Sequence, residues 1–317
     1  MRFILLIQQL FLIVIAAQIH NQIAPRGFKF VGKKKGVVGG CEAEDVAIIL
    51  KELEIAQEAA EFAAEHFTEY PYFRAFQAPE HPFFKGKKLE RAAKELFTRT
   101  AKILDGFHKD NKFRIECRSM LCLVTGGDSA ALVWERRKSS RFGPNVPVMA
   151  FCRDFFETPQ DATAFTSTVG RLRQFREVLD KNPEDIDTGS TIVNMSSVGN
   201  MRSQIILHEL THTSYVAKPV IELLNRKAET ELKTLDDHTY DPLVCYRTAR
   251  GIFDQKTEKK PDLLEGAKRA AENAESWGLI ATGTYMSKQL GIEQIPIPGV
   301  PNHEWAYTDK TGGKTKD

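Results

Sequence analysis

The stretch Gln204–Val216, QIILHELTHTSYV, constrains this chain more than any other. Ile205, Ile206 and Leu210 supply apolar surface at helical spacing, and no Pro or Gly interrupts them, which predicts a helix. On a helix, residues four apart lie above one another, so the imidazoles of His208 and His212 can reach one cation. Glu209, one step round, can then address a water at that cation. H-E-x-x-H arises by chance in about one chain in a hundred of this composition. Two histidines on one buried helix face are the plain alternative, and the rest of the chain has to decide.

A catalytic zinc site of this kind needs a third protein ligand and keeps one open position. An extended H-E-x-x-H-x-x-G-x-x-H motif would place Gly at 215 and His at 218. Those positions hold Tyr215 and Lys218, so that class is excluded. A thermolysin-like arrangement would use Glu229 or Glu231 in RKAETELK. The remaining source is an aspartate from KTLDDHTYDPLVCY, which offers Asp236, Asp237 and Asp241. The Asp187–Ser190 run, DTGS, matches the loop of aspartic peptidases, but that chemistry needs two carboxylates sharing a proton and no second D-T-G exists.

The N-terminus, MRFILLIQQLFLIVIAAQIH, has the layout of a secretory signal peptide: Arg2, an apolar run from Ile4 to Ile15, then Ala16 and Ala17, with cleavage expected after Ala17. A membrane anchor needs about twenty apolar residues, and Gln8 and Gln9 interrupt a shorter run, so no membrane span is expected and the mature protein is read as secreted. Export leads to an oxidising compartment, and the five cysteines (41, 117, 122, 152 and 245) lie beyond the signal region, so disulfides are expected with one thiol left over. No C-x-x-C occurs. Asn194-Met195-Ser196 is a glycosylation sequon. The net charge of +2 and the lack of a basic stripe interleaved with aromatics exclude a nucleic-acid partner.

Residues 18–40 are basic, Gly-rich and poorly periodic, and read as a linker or short pro-segment. EDVAIILKELEIAQEAAEFAAEHF carries Val46, Ile49, Leu50, Leu53, Ala56 and Ala60 on one face, and GKKLERAAKELFTRTAKILDGF predicts a second helix. FRIEC, LCLVT, AALVW and VPVMAFC read as strands parted by turn signals at Gly126-Gly127-Asp128 and Gly143-Pro144-Asn145. A long helical stretch from about Pro261 to Leu290 closes a domain spanning 41–290. The Pro- and Gly-rich, then basic, tail 291–317 is expected to pack loosely. Helices, a small sheet, then helices define an α+β class.

At this point the chain resembles the deuterolysin, or aspzincin, family of secreted zinc peptidases, which includes the peptidyl-lysine metalloendopeptidases. That family follows H-E-x-x-H with G-T-x-x-D-x-x-Y-G. Here Thr234, Asp237 and Tyr240 fall at the T, D and Y positions, while Lys233 and Asp241 replace both glycines. Cys245 matches a cysteine common after that segment. Asn273 and Ala274 match an N-A-D-x-Y segment, with Glu275 in place of Asp and Trp277 in place of Tyr. VMAFCRDFF and the Cys41-plus-helix opening fit as well. The resemblance implies a zincin-like fold, Zn2+ held by His208, His212 and Asp237, Glu209 as general base, and Tyr240 steadying an oxyanion. It implies Glu275 as a substrate-binding acid favouring Lys or Arg after the cleaved bond, a preference that Gly278 weakens, since a second acid is missing there. The expected partners are protein or peptide substrates, with the chain acting as a monomer. The lost glycines and a long gap between His212 and Asp237, SYVAKPVIELLNRKAETELK, motivate two rivals. One is an exported binding protein on a degraded scaffold; the other is the thermolysin-like arrangement, and Asp236 and Asp241 also stay open.

Overall fold

A computed structural model describes residues 28–32, 40–105, 113–124, 130–136, 146–156, 166–181, 192–225, 234–253 and 261–300. The described residues form an α+β structure in which helices dominate and a four-stranded mixed sheet lies at one side.

Helix α1 spans Ala43–His66, opened by a capping box in which Glu42 and Asp45 satisfy each other's backbone N–H. Its buried face carries Ile49, Leu53, Ala56, Ala60 and Ala63, the first four in the stripe expected from sequence and the fifth continuing it. The small alanines let α1 approach α3, Lys88–Leu104, whose Leu89, Ala93, Leu96 and Phe97 are buried. Between them lies the short α2, Tyr72–Phe76, with Tyr72 fully buried.

The sheet runs β1–β2–β4–β3: β1 is Phe28–Phe30, β2 Phe113–Cys117, β3 Ala131–Arg136 and β4 Val146–Phe151. Strands β1, β2 and β4 are parallel, and β3 pairs antiparallel with β4 as the second edge. In β2, Phe113, Ile115 and Cys117 are buried while Arg114 and Glu116 are half-buried, the alternation of a strand with one face on a core. β4 is covered on both faces: Met149 and Phe151 join the main core, and Ala150 packs with Cys122 and Cys152 beside Leu132 and Trp134.

Three sequence expectations need correction here. Phe28–Phe30, inside the 18–40 stretch read as linker, is an edge strand with Phe28 buried against Phe113. Three residues are too few to show a period. The stretch read as strand LCLVT falls in a helix, α4, Met120–Val124. Arg118 takes a left-handed φ of 49° where the chain leaves β2, and the Cys122 N–H closes back onto the Ser119 carbonyl, starting a helical turn. The start of the tail is not loose: Ile295, Ile297 and Val300 are buried, and the Ile295 N–H donates to the Tyr72 hydroxyl.

After β4 come α5, Arg153–Phe156, α6, Thr168–Lys181, and α7, Met195–Gly199, capped by the Asn194 side chain. Then follow α8, Arg202–Thr211, α9, Ser214–Asn225, α10, Pro242–Ala249, α11, Leu263–Glu272, and α12, Ala274–Leu290. Helix α12 is buried nearly all round, with Trp277, Leu279, Ile280, Ala281 and Met286 in the core, so it is the axis on which the other helices pack. Disulfides Cys41–Cys117 and Cys122–Cys152 staple α1 and α4 to the sheet, leaving Cys245 as a buried thiol. No helix among the described residues is long and apolar enough to cross a membrane.

Candidate metal centre

Helix α8 carries the two histidines, and its Ile206, Leu207 and Leu210 anchor it in the core. The helix is shorter than the sequence suggests and stops at His212. The His212 and Thr213 N–H groups bond three residues back, to Glu209 and Leu210, and the Thr211 and Thr213 hydroxyls donate to the carbonyls of His208 and Leu210. These tight turns close the helix while keeping His212 stacked one turn above His208. On the other side α12 passes close at Gly278: a Cβ there would stand 2.9 Å from Gln204 Nε2 and 3.4 Å from both the Cβ and the backbone N of His208.

The third donor arrives on the loop 234–241. The Asp236 N–H donates to the Glu272 carbonyl, and the Ala274 N–H to the Asp236 carbonyl, pinning the loop to the α11–α12 junction. Asn273, buried between those helices, accepts through Oδ1 from the N–H groups of His238 and Thr239. Its Nδ2 donates to Ser276 Oγ and Cys245 Sγ. The helix read as continuous from Pro261 to Leu290 breaks at this residue, which leaves helical geometry to hold the loop.

The result is a triangle of ligand atoms. His208 Nε2 lies 3.3 Å from His212 Nε2, and Asp237 Oδ1 lies 3.2 Å from the first and 3.1 Å from the second. Zinc–nitrogen and zinc–oxygen bonds of about 2.0–2.1 Å give a tetrahedron edges of roughly 3.3–3.4 Å, so the triangle has the size of one face of a tetrahedral site. The remaining ring nitrogens are committed. His208 Nδ1–H donates to Glu275 Oε2 at 2.8 Å, and His212 Nδ1–H to the Leu235 carbonyl at 3.0 Å. Both Nε2 lone pairs therefore turn inward, the arrangement that orients metal-binding imidazoles. This His–His–Asp group could hold a metal ion.

Electrostatics match a cation site. Burial would depress the His208 pKa, but Asp237 and Glu275 override it and raise it; His212 is raised in the same way by Asp237. Burial would raise the Asp237 carboxyl, but the two imidazoles hold it well below the usual range. Glu209 is lifted by burial to about 7, opposed by the nearby imidazoles and by the Val133 N–H of edge strand β3. The Tyr240 ring stacks on His208 with centroids 5.4 Å apart, its phenol bonded to Asp237 and its pKa raised by burial and by Asp237.

The structure thus brings together His208, Glu209, His212, Asp237, Tyr240 and Glu275. It gives two other candidate ligands different work: Asp241 caps α10 through the N–H groups of Leu243 and Val244, and Asp236 Oδ1 accepts from the Asp237 N–H. Thr234 lies on the exposed start of the loop. Glu229, Glu231 and the 187–190 run lie outside the described residues. Glu275, read from the sequence as a substrate-binding acid, is buried behind His208 with Oε2 engaged by the ring. Sequence reasoning missed the Val133 and Leu235 backbone contacts, which no side-chain pattern records. A cavity of about 610 Å³ adjoins the centre, lined among others by Ala131, Asn200, Gln204, Tyr240 and Glu275.

No family model, curated protein or solved structure matches the chain.

Proposed function

We propose that this chain is a secreted, zincin-like zinc metalloendopeptidase that hydrolyses peptide bonds of proteins. The observation that carries the reading is the face-sized triangle of His208, His212 and Asp237, with Glu209 beside it. A zinc ion held there supplies Lewis acidity toward a scissile carbonyl and lowers the pKa of water toward about 7.

The protein's residues do the rest. Glu209, with a pKa raised to about 7, is poised to take a proton from water and return it to the leaving amine. A cation in the triangle draws that value down, toward the ionised form a base requires. The Val133 N–H orients the Glu209 carboxylate. Tyr240, 63% exposed at the cavity mouth, offers a phenol to the oxyanion of the tetrahedral intermediate. Strand β3 is a sheet edge beside the cavity, and among the described residues no strand pairs with its outer side, so an extended peptide has a template there. The two disulfides suit an oxidising compartment.

The test is cleavage of unfolded casein by the purified, zinc-loaded protein, with Glu209→Gln as control. Cleavage lost on chelation, restored by zinc and absent in the variant supports the reading. A zinc-loaded protein that leaves casein intact supports the rival, an exported binding protein on the same scaffold.

A further inference from the structure

The cavity beside the centre was expected from the sequence to receive a basic side chain through Glu275. One oxygen of that carboxylate is already engaged, since Oε2 is bonded to His208 Nδ1 at 2.8 Å. Its other oxygen, Oε1, faces Gly199, where a Cβ would stand 3.4 Å away; the missing side chain keeps the approach from the cavity open. One turn before His208 on α8 sits Gln204, also on the cavity wall and only 1% exposed. Its Nε2 has no hydrogen-bond partner among the described residues. A buried amide N–H2 without an acceptor is destabilising, so a group that accepts from it on entering recovers that loss. The remaining polar wall holds Ser196, Asn200 and Tyr240, with Asp241 engaged in capping α10 and His208 and Glu209 at the metal end.

We infer that this cavity is a specificity subsite for a primary carboxamide, the side chain of Gln or Asn next to the scissile bond, with Gln204 as the specificity-determining residue. The carboxamide C=O accepts from Gln204 Nε2 while its N–H2 donates to Glu275 Oε1. An ammonium would leave the Gln204 donor unmet and set a positive charge against it. An aliphatic side chain would leave both groups unmet. The inference deepens the peptidase reading and rests on it for the word scissile.

The test separates the two. Zinc-loaded Glu209→Gln is titrated, by fluorescence anisotropy, with labelled Ala/Gly peptides that carry one variable residue: Gln, Leu, Lys or Glu. The Gln peptide is expected to bind about tenfold tighter than the others. Gln204→Leu in that background should erase the advantage, and Gln204→Glu should move it to Lys. The Lys peptide binding tightest, equal affinities across the series, or a Gln advantage that survives Gln204→Leu would overturn the assignment. Wild-type protein is then given the same peptides. A Gln preference in binding with no cleavage supports the subsite and sinks the peptidase reading, whereas cleavage beside Lys alone sinks the subsite and supports the peptidase.

Discussion

Glu209 and Glu275 both stand near His208 and are given different work by what surrounds them. Glu209 is the general base of the proposed peptidase, so Glu209→Gln should reduce turnover by about 10²–10⁴-fold while zinc content, read by atomic absorption, stays near one per chain. Glu275 acts through His208: losing its acceptor frees the ring to turn. Glu275→Ala should weaken zinc binding by about 10–100-fold in a competition titration with a chelating dye, and Glu275→Asp should restore part of it. Unchanged affinity would remove Glu275 from the centre. Protons compete with the ion. In the metal-free protein both imidazoles have raised pKa values, so they contribute stability that is full below the ordinary histidine value of about 6.5 and lost as pH climbs through the raised values. Zinc binding runs the other way, since the ligand nitrogens must be free. Apparent zinc affinity should therefore rise about tenfold per pH unit for each proton displaced between pH 6 and 8, and a flat profile would contradict the account.

The elements show which parts of this could be read from sequence. The α8 pair was legible because the i, i+4 rule is local and needs no tertiary information. Asp237 was legible only through resemblance, since the spacing alone offered Asp236, Asp241 and two glutamates equally. What selects it is the backbone pairing of Asp236 with the α11–α12 junction, a contact between residues 236 and 273 that no periodicity reports. Asn273 is the hinge of that contact. Asn273→Ala removes acceptors from two loop N–H groups, and should cost about 1–3 kcal/mol of stability in a urea titration and lower zinc affinity as well. Loss of neither would show that the loop is held by other means. Gly278 was visible only as a missing acid; its physical reason is the close passage of α12 past α8, where a Cβ would stand 2.9 Å from Gln204 Nε2. The left-handed turn at Arg118 and the three-residue β1 were beyond reach, because a non-Gly residue at positive φ leaves no compositional mark.

At the scale of the molecule, one continuous core joins α1, α3, α8 and α12, and the sheet is fastened to it covalently. The Cys41–Cys117 bond spans 76 residues, taking in α1 to α3. Closing a loop of that length removes unfolded-state entropy worth about 4 kcal/mol. Cys41→Ser with Cys117→Ser should therefore lower the urea midpoint strongly, while Cys245→Ser, at a thiol already unbridged, leaves both disulfides intact by thiol counting. The α+β layout was legible because α1 and α3 are long and strongly patterned. The mixed sheet order was not, since strand neighbours depend on chain crossings rather than local pattern.

The central claim is that one divalent cation sits among His208, His212 and Asp237. Anomalous diffraction at the zinc edge, from crystals of the zinc-loaded protein, measures this directly. The account predicts a single strong peak about 2.0–2.2 Å from His208 Nε2, His212 Nε2 and an Asp237 carboxylate oxygen. A peak bound by other side chains, or one completed by Asp236, Asp241 or a glutamate with Asp237 turned away, would contradict it.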